Sequence, residues 1–203
     1  MKENFRVPQE QVTREEKEVY RPEIYNPDKL PWDKIREDIL KIEESAYGEE
    51  DLFGEEVLQN DFEDPDNIVV ILRDIATEKI IGFTYAKPTL KSYPEDFPER
   101  EMSKDTAYIY YTVIEKSYQG KGLVSSLLNK LEDELVRRGF SFVERDAAND
   151  REGEQSGAET YADKLRKNYQ ERILKEEAHD SEFGPQVFFR MSLPKPEKES
   201  MNV

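Results

Sequence analysis

The stretch Tyr108-Ile109-Tyr110-Tyr111-Thr112-Val113-Ile114-Glu115-Lys116-Ser117-Tyr118-Gln119-Gly120-Lys121-Gly122 decides the fold. Its first half is β-branched and aromatic, the composition of a half-buried pleated strand. Strict alternation would put Tyr108, Tyr110 and Thr112 on one face and Ile109, Tyr111 and Val113 on the other. Its second half closes on two glycines. Beyond them Leu123, Leu127, Leu128, Leu131 and Leu135 form one helical stripe that runs toward Gly139, a natural helix stop. Glycine accepts φ > 0 and lets a ligand approach the backbone without a Cβ in the way. Successive N–H groups in such a turn form a concavity for anions, and the helix that starts there adds its positive end. Lys121 supplies a point charge. The loop from Gln119 to Ser125 is therefore a cradle for phosphate or pyrophosphate.

Outward from that unit, the hydrophobic periodicity predicts the remaining elements. Upstream, Glu18–Ile24 suits a short edge strand limited by Pro22. Trp32, Ile35, Ile39, Ile42 and Ala46 recur at helical steps, with Gly48 as a stop. A shorter helix covers Glu55–Phe62. Ile68–Leu72 and Ile80–Ala86 form a hairpin, and residues 88–105, with three prolines, read as a long mobile loop. Downstream, a strand Phe140–Ala147 leads into a polar loop, Asn149–Gly157. A helix Ala158–Tyr169 carries Tyr161, Leu165 and Tyr169 at four-residue steps. Ile173–His179 and Gln186–Leu193 are paired through a turn at Ser181–Pro185. The order β-α-α-β-β-β-α-β-α-β-β predicts an α/β fold, a mixed central sheet of about six to seven strands flanked by helices on both faces. Residues 1–16 are expected to be a flexible polar arm, residues 17–194 the folded domain and residues 195–203 a charged tail.

The chain has 203 residues, of which 36% are hydrophobic and 37% charged, and a net charge of −16. That size can bury a sizeable core. No apolar run is long enough to span a bilayer, and the polar N-terminus lacks an export core, so no membrane partner is expected. The negative charge argues against nucleic acid as a partner, since phosphate neutralisation needs clustered Lys and Arg. It fits cationic amines or Lys/Arg-rich protein better. With no cysteine, disulfides, thiolate metal sites and a cysteine nucleophile are excluded, and a reducing cytoplasm is the default.

Several phosphate loops share the two-glycine logic, and spacing separates them. A nucleotide P-loop needs GxxxxGK[ST], whereas Lys121 precedes Gly122 and no Ser or Thr follows directly. A dinucleotide fingerprint needs GxGxxG, and position 125 is Ser. Gln119-Gly120-Lys121-Gly122-Leu123-Val124 resembles instead the [QR]-x-x-G-x-[GA] acyl-coenzyme A loop of the GNAT acetyltransferase superfamily, with Val124 at the place of the usual small residue. Ile80-Ile81-Gly82-Phe83 also resembles the family's third strand. The resemblance spans roughly residues 18–193.

That resemblance implies direct transfer of an acyl group, most simply from acetyl-CoA, to an amine in one ternary complex, without a metal. It places the pantetheine arm between splayed fourth and fifth strands, Tyr108–Ile114 and Phe140–Ala147. Backbone groups of Val113 and Ile114 would bind it, and one of their N–H groups would polarise the thioester carbonyl. Gln119, Gly120, Lys121, Gly122, Leu123, Val124 and Ser125 would hold the pyrophosphate, and Asn149 would touch the arm. Tyr161 would protonate the departing thiolate, because a phenol keeps its proton at neutral pH. Glu115 and His179, the only histidine, are ordinary surface or structural groups on this reading, and no general base stands out. Tyr20, Tyr25 or Trp32 would help line the acceptor pocket. The acceptor would be an amine-bearing small molecule, a protein lysine or an N-terminus, and an oligomer is possible. The alternative is a non-catalytic acyl-CoA-binding or interaction domain with the same fold.

Overall fold

A computed structural model describes residues 19–46, 52–97, 99–149, 160–181 and 184–195. The predicted arm at 1–16, the stop at Gly48, the loop 150–157, Ala158 and most of the charged tail lie outside the described residues. Within them the strands are β1 (Tyr20–Ile24), β2 (Ile68–Asp74), β3 (Ile80–Pro88), β4 (Thr106–Ile114), β5 (Phe142–Ala148), β6 (Ile173–Ser181) and β7 (Gly184–Ser192). They form one seven-stranded sheet in the order β1-β2-β3-β4-β5-β7-β6. Only β4 and β5 run parallel; every other neighbouring pair is antiparallel. The helices are α1 (Arg36–Ala46), α2 (Glu55–Glu63), α3 (Thr89–Asp96), α4 (Leu123–Arg137) and α5 (Tyr161–Tyr169). The mixed α/β architecture expected from the sequence is the one observed.

Each face of the sheet has its own core. One gathers Leu127, Leu128, Leu131 and Leu135 of α4 and Leu165 of α5 against Val70, Ile109, Ile114, Val143 and Phe189. The other packs Ile39 and Ile42 of α1 and Leu58 and Phe62 of α2 against Val69, Phe83, Tyr85, Tyr111 and Val113. Trp32 and Tyr25 are buried in this second core, and Tyr20 meets Tyr118 edge-on at 6.1 Å. All three side chains are engaged in packing, Tyr25 and Trp32 fully and Tyr20 in part.

Two expectations change. Residues 88–105 are not a continuous loop, since they contain α3. Its Tyr93 is fully buried and its hydroxyl donates to Glu144 of β5. The simple alternation along β4 also fails. The β3–β4 register jumps from Tyr85↔Tyr111 to Ala86↔Ile109, leaving Tyr110 as a bulge. One extra residue reverses every side chain beyond it. Ile109 therefore packs with α4, whereas Tyr111 and Val113 turn to the α1 face, with Tyr110 against the same core.

Gly82 fixes the end of β4. A Cβ there would lie 2.5 Å from Ile114 Cδ1 and 2.9 Å from the Val113 carbonyl oxygen. Gly82→Ala is expected to lower stability by about 1–3 kcal/mol, read from the urea midpoint; an unchanged midpoint would show that β4 yields freely.

Candidate active site

Strands β4 and β5 pair only through Thr106↔Phe142, Ala107↔Val143 and Tyr108↔Glu144. Beyond Tyr108 and Glu144 they part, and the rest of each strand lines a V-shaped opening. The Glu115 N–H donates to Ile81 O at 2.8 Å across to β3. Main-chain groups alternate sides along a strand, so the Val113 amide turns to β3 and those of Thr112 and Ile114 turn into the V. Val113, expected to present its amide to a ligand, is therefore turned the other way and packs its side chain in the α1 core. On its β4 side the V is lined by the Thr112 and Ile114 amides.

At the mouth of the V, a short turn at Lys116–Tyr118 leads into the glycine loop. Gly120 and Gly122 have φ of +77° and +72°, so the loop curls through the left-handed region. Gly122 caps α4 without a side-chain hydrogen bond. The N–H groups of Gly120, Lys121, Gly122, Leu123 and Val124 find no acceptor among the described residues, while Ser125 N–H reaches Gly122 O at 3.3 Å. Unpaired amides at a helix N-terminus are suited to an anion. Lys121 is exposed, with its ammonium 4.8 Å from the Tyr118 ring centroid. Gln119 acts inward instead: its Nε2 donates to Ile114 O at 2.9 Å and ties the loop to the end of β4. Leu123 and Val124 are half-buried against the α4 core, so the branched Val124 is accommodated by packing.

Helix α5 starts at Tyr161 because Thr160 caps it. Asp163 N–H donates to Thr160 Oγ1 at 3.1 Å, and Thr160 N–H donates to Asp163 Oδ2 at 3.2 Å. The Thr160 N–H, foremost, holds the Asp163 carboxyl below its ordinary range. Tyr161 packs against the α4 core with the Arg145 guanidinium 4.9 Å from its ring centroid, and its buried hydroxyl has no hydrogen-bond partner among the described residues. Asn149 sits just past β5. Its N–H donates to Pro185 O at 3.0 Å and its side chain is exposed. Glu115 is a structural charge that accepts from Lys41 at 3.5 Å and from Ser117.

Sequence reasoning passed over the other face of β5. There Asp146 Oδ2 accepts from the Tyr108 hydroxyl at 2.6 Å and from Arg100 at 2.9 Å, and its Oδ1 is 2.9 Å from His179 Nε2. His179 is paired with this distant carboxylate and not with its neighbour Asp180. Glu144 accepts from Arg190 at 2.9 Å as well as from Tyr93. Burial first, and then the Asp146 charge, raises the Tyr108 phenol far above its usual range, so it stays a donor. Burial opposes protonation of Arg100, but the Asp146 carboxylate outweighs it and raises the guanidinium further. A cleft of 490 Å³ opens over this network, lined among others by Arg100, Glu144, His179 and Phe188. Alternation of charged residues along β5 was the available signal; the 33-residue gap between partners hid the pairing.

The parted parallel strands thus lead into an open glycine loop at the start of α4. The chain belongs to the acetyltransferase (GNAT) family, whose model matches residues 32–153. No curated protein sequence matches it. Among solved structures it is similar to the ribosomal-protein-S18-alanine N-acetyltransferase from Escherichia coli, with a TM-score of 0.56 and 15% identity over 91% of this chain and 99% of that one. An aminoglycoside 6′-N-acetyltransferase complexed with coenzyme A has a TM-score of 0.61 and 15% identity over 87% and 99% of the two chains. The PaiA N-acetyltransferase from Thermoplasma acidophilum, also in complex with coenzyme A, has a TM-score of 0.54 and 12% identity over 85% and 98%. At these identities the likeness establishes the fold. Among the described residues no helix is long and apolar enough to cross a membrane.

Gly122→Ala would force a Cβ into a left-handed conformation, which disfavours the native loop by roughly 1–2 kcal/mol. No atom lies within 4 Å of the added carbon, so the loss in thermal stability should come from the backbone alone, and Gly122→Asn should recover part of it.

Proposed function

We propose that this chain is an acyl-CoA-dependent N-acyltransferase that moves an acetyl group from acetyl-CoA to an amine by direct attack in a ternary complex. The observation that carries the reading is the continuity between the V and the glycine loop. Unpaired amides of Thr112 and Ile114 line one, and unpaired amides of Gly120–Val124 line the other. That row of donors suits an amide-bearing arm followed by a pyrophosphate.

In this reading the Gly120–Val124 amides and the Lys121 ammonium hold the pyrophosphate, and Ser125 lies beside them at the helix start. Gln119 contributes by fixing the loop to Ile114. The Ile114 N–H polarises the acyl carbonyl, an interaction that strengthens as negative charge grows on that oxygen. Asn149, whose exposed side chain lies at the far end of β5, contacts the arm. Tyr161 gives its proton to the leaving sulfur. Its buried hydroxyl, with no partner among the described residues, is free for that bond, and Arg145 sets a fixed positive charge beside the ring. The acceptor is an amine, the chemistry named for the S18-alanine and aminoglycoside enzymes. A net charge of −16 favours a cationic one. The lack of cysteine suits a reducing, cytoplasmic setting.

Coenzyme A at a hundredfold excess over its Kd should stabilise the protein by about 2.7 kcal/mol, seen as a rise in Tm. No rise sinks the reading. With acetyl-CoA and a panel of spermidine, kanamycin, an N-terminal-alanine peptide and a lysine peptide, thiol release should follow acetylation of at least one amine. Binding without turnover on any of them would favour the non-catalytic domain. Tyr161→Phe should keep the Tm rise and lose about 10²-fold or more in kcat; a wild-type rate removes Tyr161 from the chemistry.

A further inference from the structure

Arg145 and Asp146 are consecutive on β5, immediately past the last pair with β4. Neighbouring residues of a strand point to opposite faces. Arg145 leads to Tyr161 on the α4 face, and Asp146 leads to His179 on the other. The point where the sheet parts therefore has a phenol on one side and an imidazole on the other.

We infer that the acceptor amine enters through the cleft above Asp146 and gives up its proton to His179. This deepens the acyltransferase reading and rests on it. The Asp146 carboxylate, already bonded by Tyr108 and Arg100, accepts from His179 Nε2–H at 2.9 Å. That bond selects the tautomer with an unprotonated Nδ1, and Nδ1 has no partner among the described residues. His179 is one-third exposed on the cleft wall, so an incoming amine can reach it. Asp146 is a positioning residue.

The charges of the cleft agree with a cationic guest. Arg100 is committed to Asp146, Arg190 to Glu144 and Lys175 to Glu177. Glu99 and Glu101 have no ion-pair partner among the described residues, and they leave uncompensated negative charge at the cleft. An ammonium is drawn in, and its loss of a proton makes the nitrogen a nucleophile.

The step balances without a further reactant. The amine nitrogen forms a bond to the acyl carbon as the carbon–sulfur bond breaks. The ammonium gives one proton to His179 Nδ1 before attack, the nitrogen loses a second to water as the amide forms, and the sulfur takes one from Tyr161. His179 releases its proton to solvent and the Tyr161 phenolate regains one from it, so that ammonium and thioester become amide, free thiol and one net proton.

The test uses the full chain with acetyl-CoA and the same four amines. His179→Ala should keep the Tm rise with coenzyme A and lose about 10²–10⁴-fold in kcat, and imidazole in the medium should restore a measurable part. Asp146→Asn should also lower kcat while coenzyme A binding stays. Because the chain has one histidine, its Cε1–H proton gives a single NMR resonance. That resonance should shift when spermidine is added to the protein with coenzyme A. A His179→Ala enzyme near the wild-type rate, a loss that imidazole does not rescue, or an unmoved resonance each overturns the assignment. If the wild-type protein acetylates none of the amines, the acyltransferase reading falls first and this one with it; if it does and His179→Ala is unaffected, only this one falls.

Discussion

Parallel pairing between β4 and β5 lasts for three residue pairs and then stops, and most of what is distinctive about this protein follows from that. Each strand keeps its other neighbour: β4 stays bonded to β3 along its length, and β5 to β7. The sheet thus opens at its centre without losing its integrity. An unpaired buried amide is unfavourable, so an opening of this kind persists only where a ligand, water or packing compensates. The bulge at Tyr110 and the contact between Gly82 and Ile114 hold the β4 rim in place, while Gln119 links it to the loop. Three separate local features thereby serve one gap.

The polar residues around the gap divide by face. On the α4 side the polar contacts include the Arg145–Tyr161 stack, the Thr84–Thr112 hydroxyl pair at 2.8 Å and the Arg172–Glu132 pair at 2.8 Å. On the α1 side, Tyr93, Arg100 and Tyr108 converge on Glu144 and Asp146. These buried carboxylates are tolerable because each is paired and hydrogen-bonded. The network also attaches α3 and the segment around Arg100 to β5, so the cleft wall is held by the same bonds that orient His179.

The succession of strands along the chain and the glycine loop ahead of α4 were legible in the sequence because both rest on local signals. Glycine at positions 120 and 122 and the leucine stripe that follows are read within a few residues. Helix α3 was not legible: Pro94 and scattered charges mask the single large side chain, Tyr93, that secures it. The β4 bulge left no local trace either, since Tyr108, Tyr110 and Tyr111 satisfy either alternation, and the choice is made by packing against Phe83 and Tyr85. His179 looked like an ordinary surface residue because its partner lies on another strand. Tyr161 was placed on its helix by period; the Thr160 cap, which makes it the first helical residue, explains its position.

The bulge has a consequence for how β4 can change over evolutionary time. Upstream of Tyr110 the strand feeds one core with odd-numbered residues, and downstream it feeds the other. A point substitution alters one contact at a time, and the neighbouring aromatics can adjust around it. Removing Tyr110 itself would restore the regular pleat and leave Tyr111 and Val113 on the α1 face and Ile114 in the leucine core, so the faces beyond it would not change. A one-residue change elsewhere in the strand would exchange the two faces of everything beyond it, so drift in the length of β4 should be confined to the bulge.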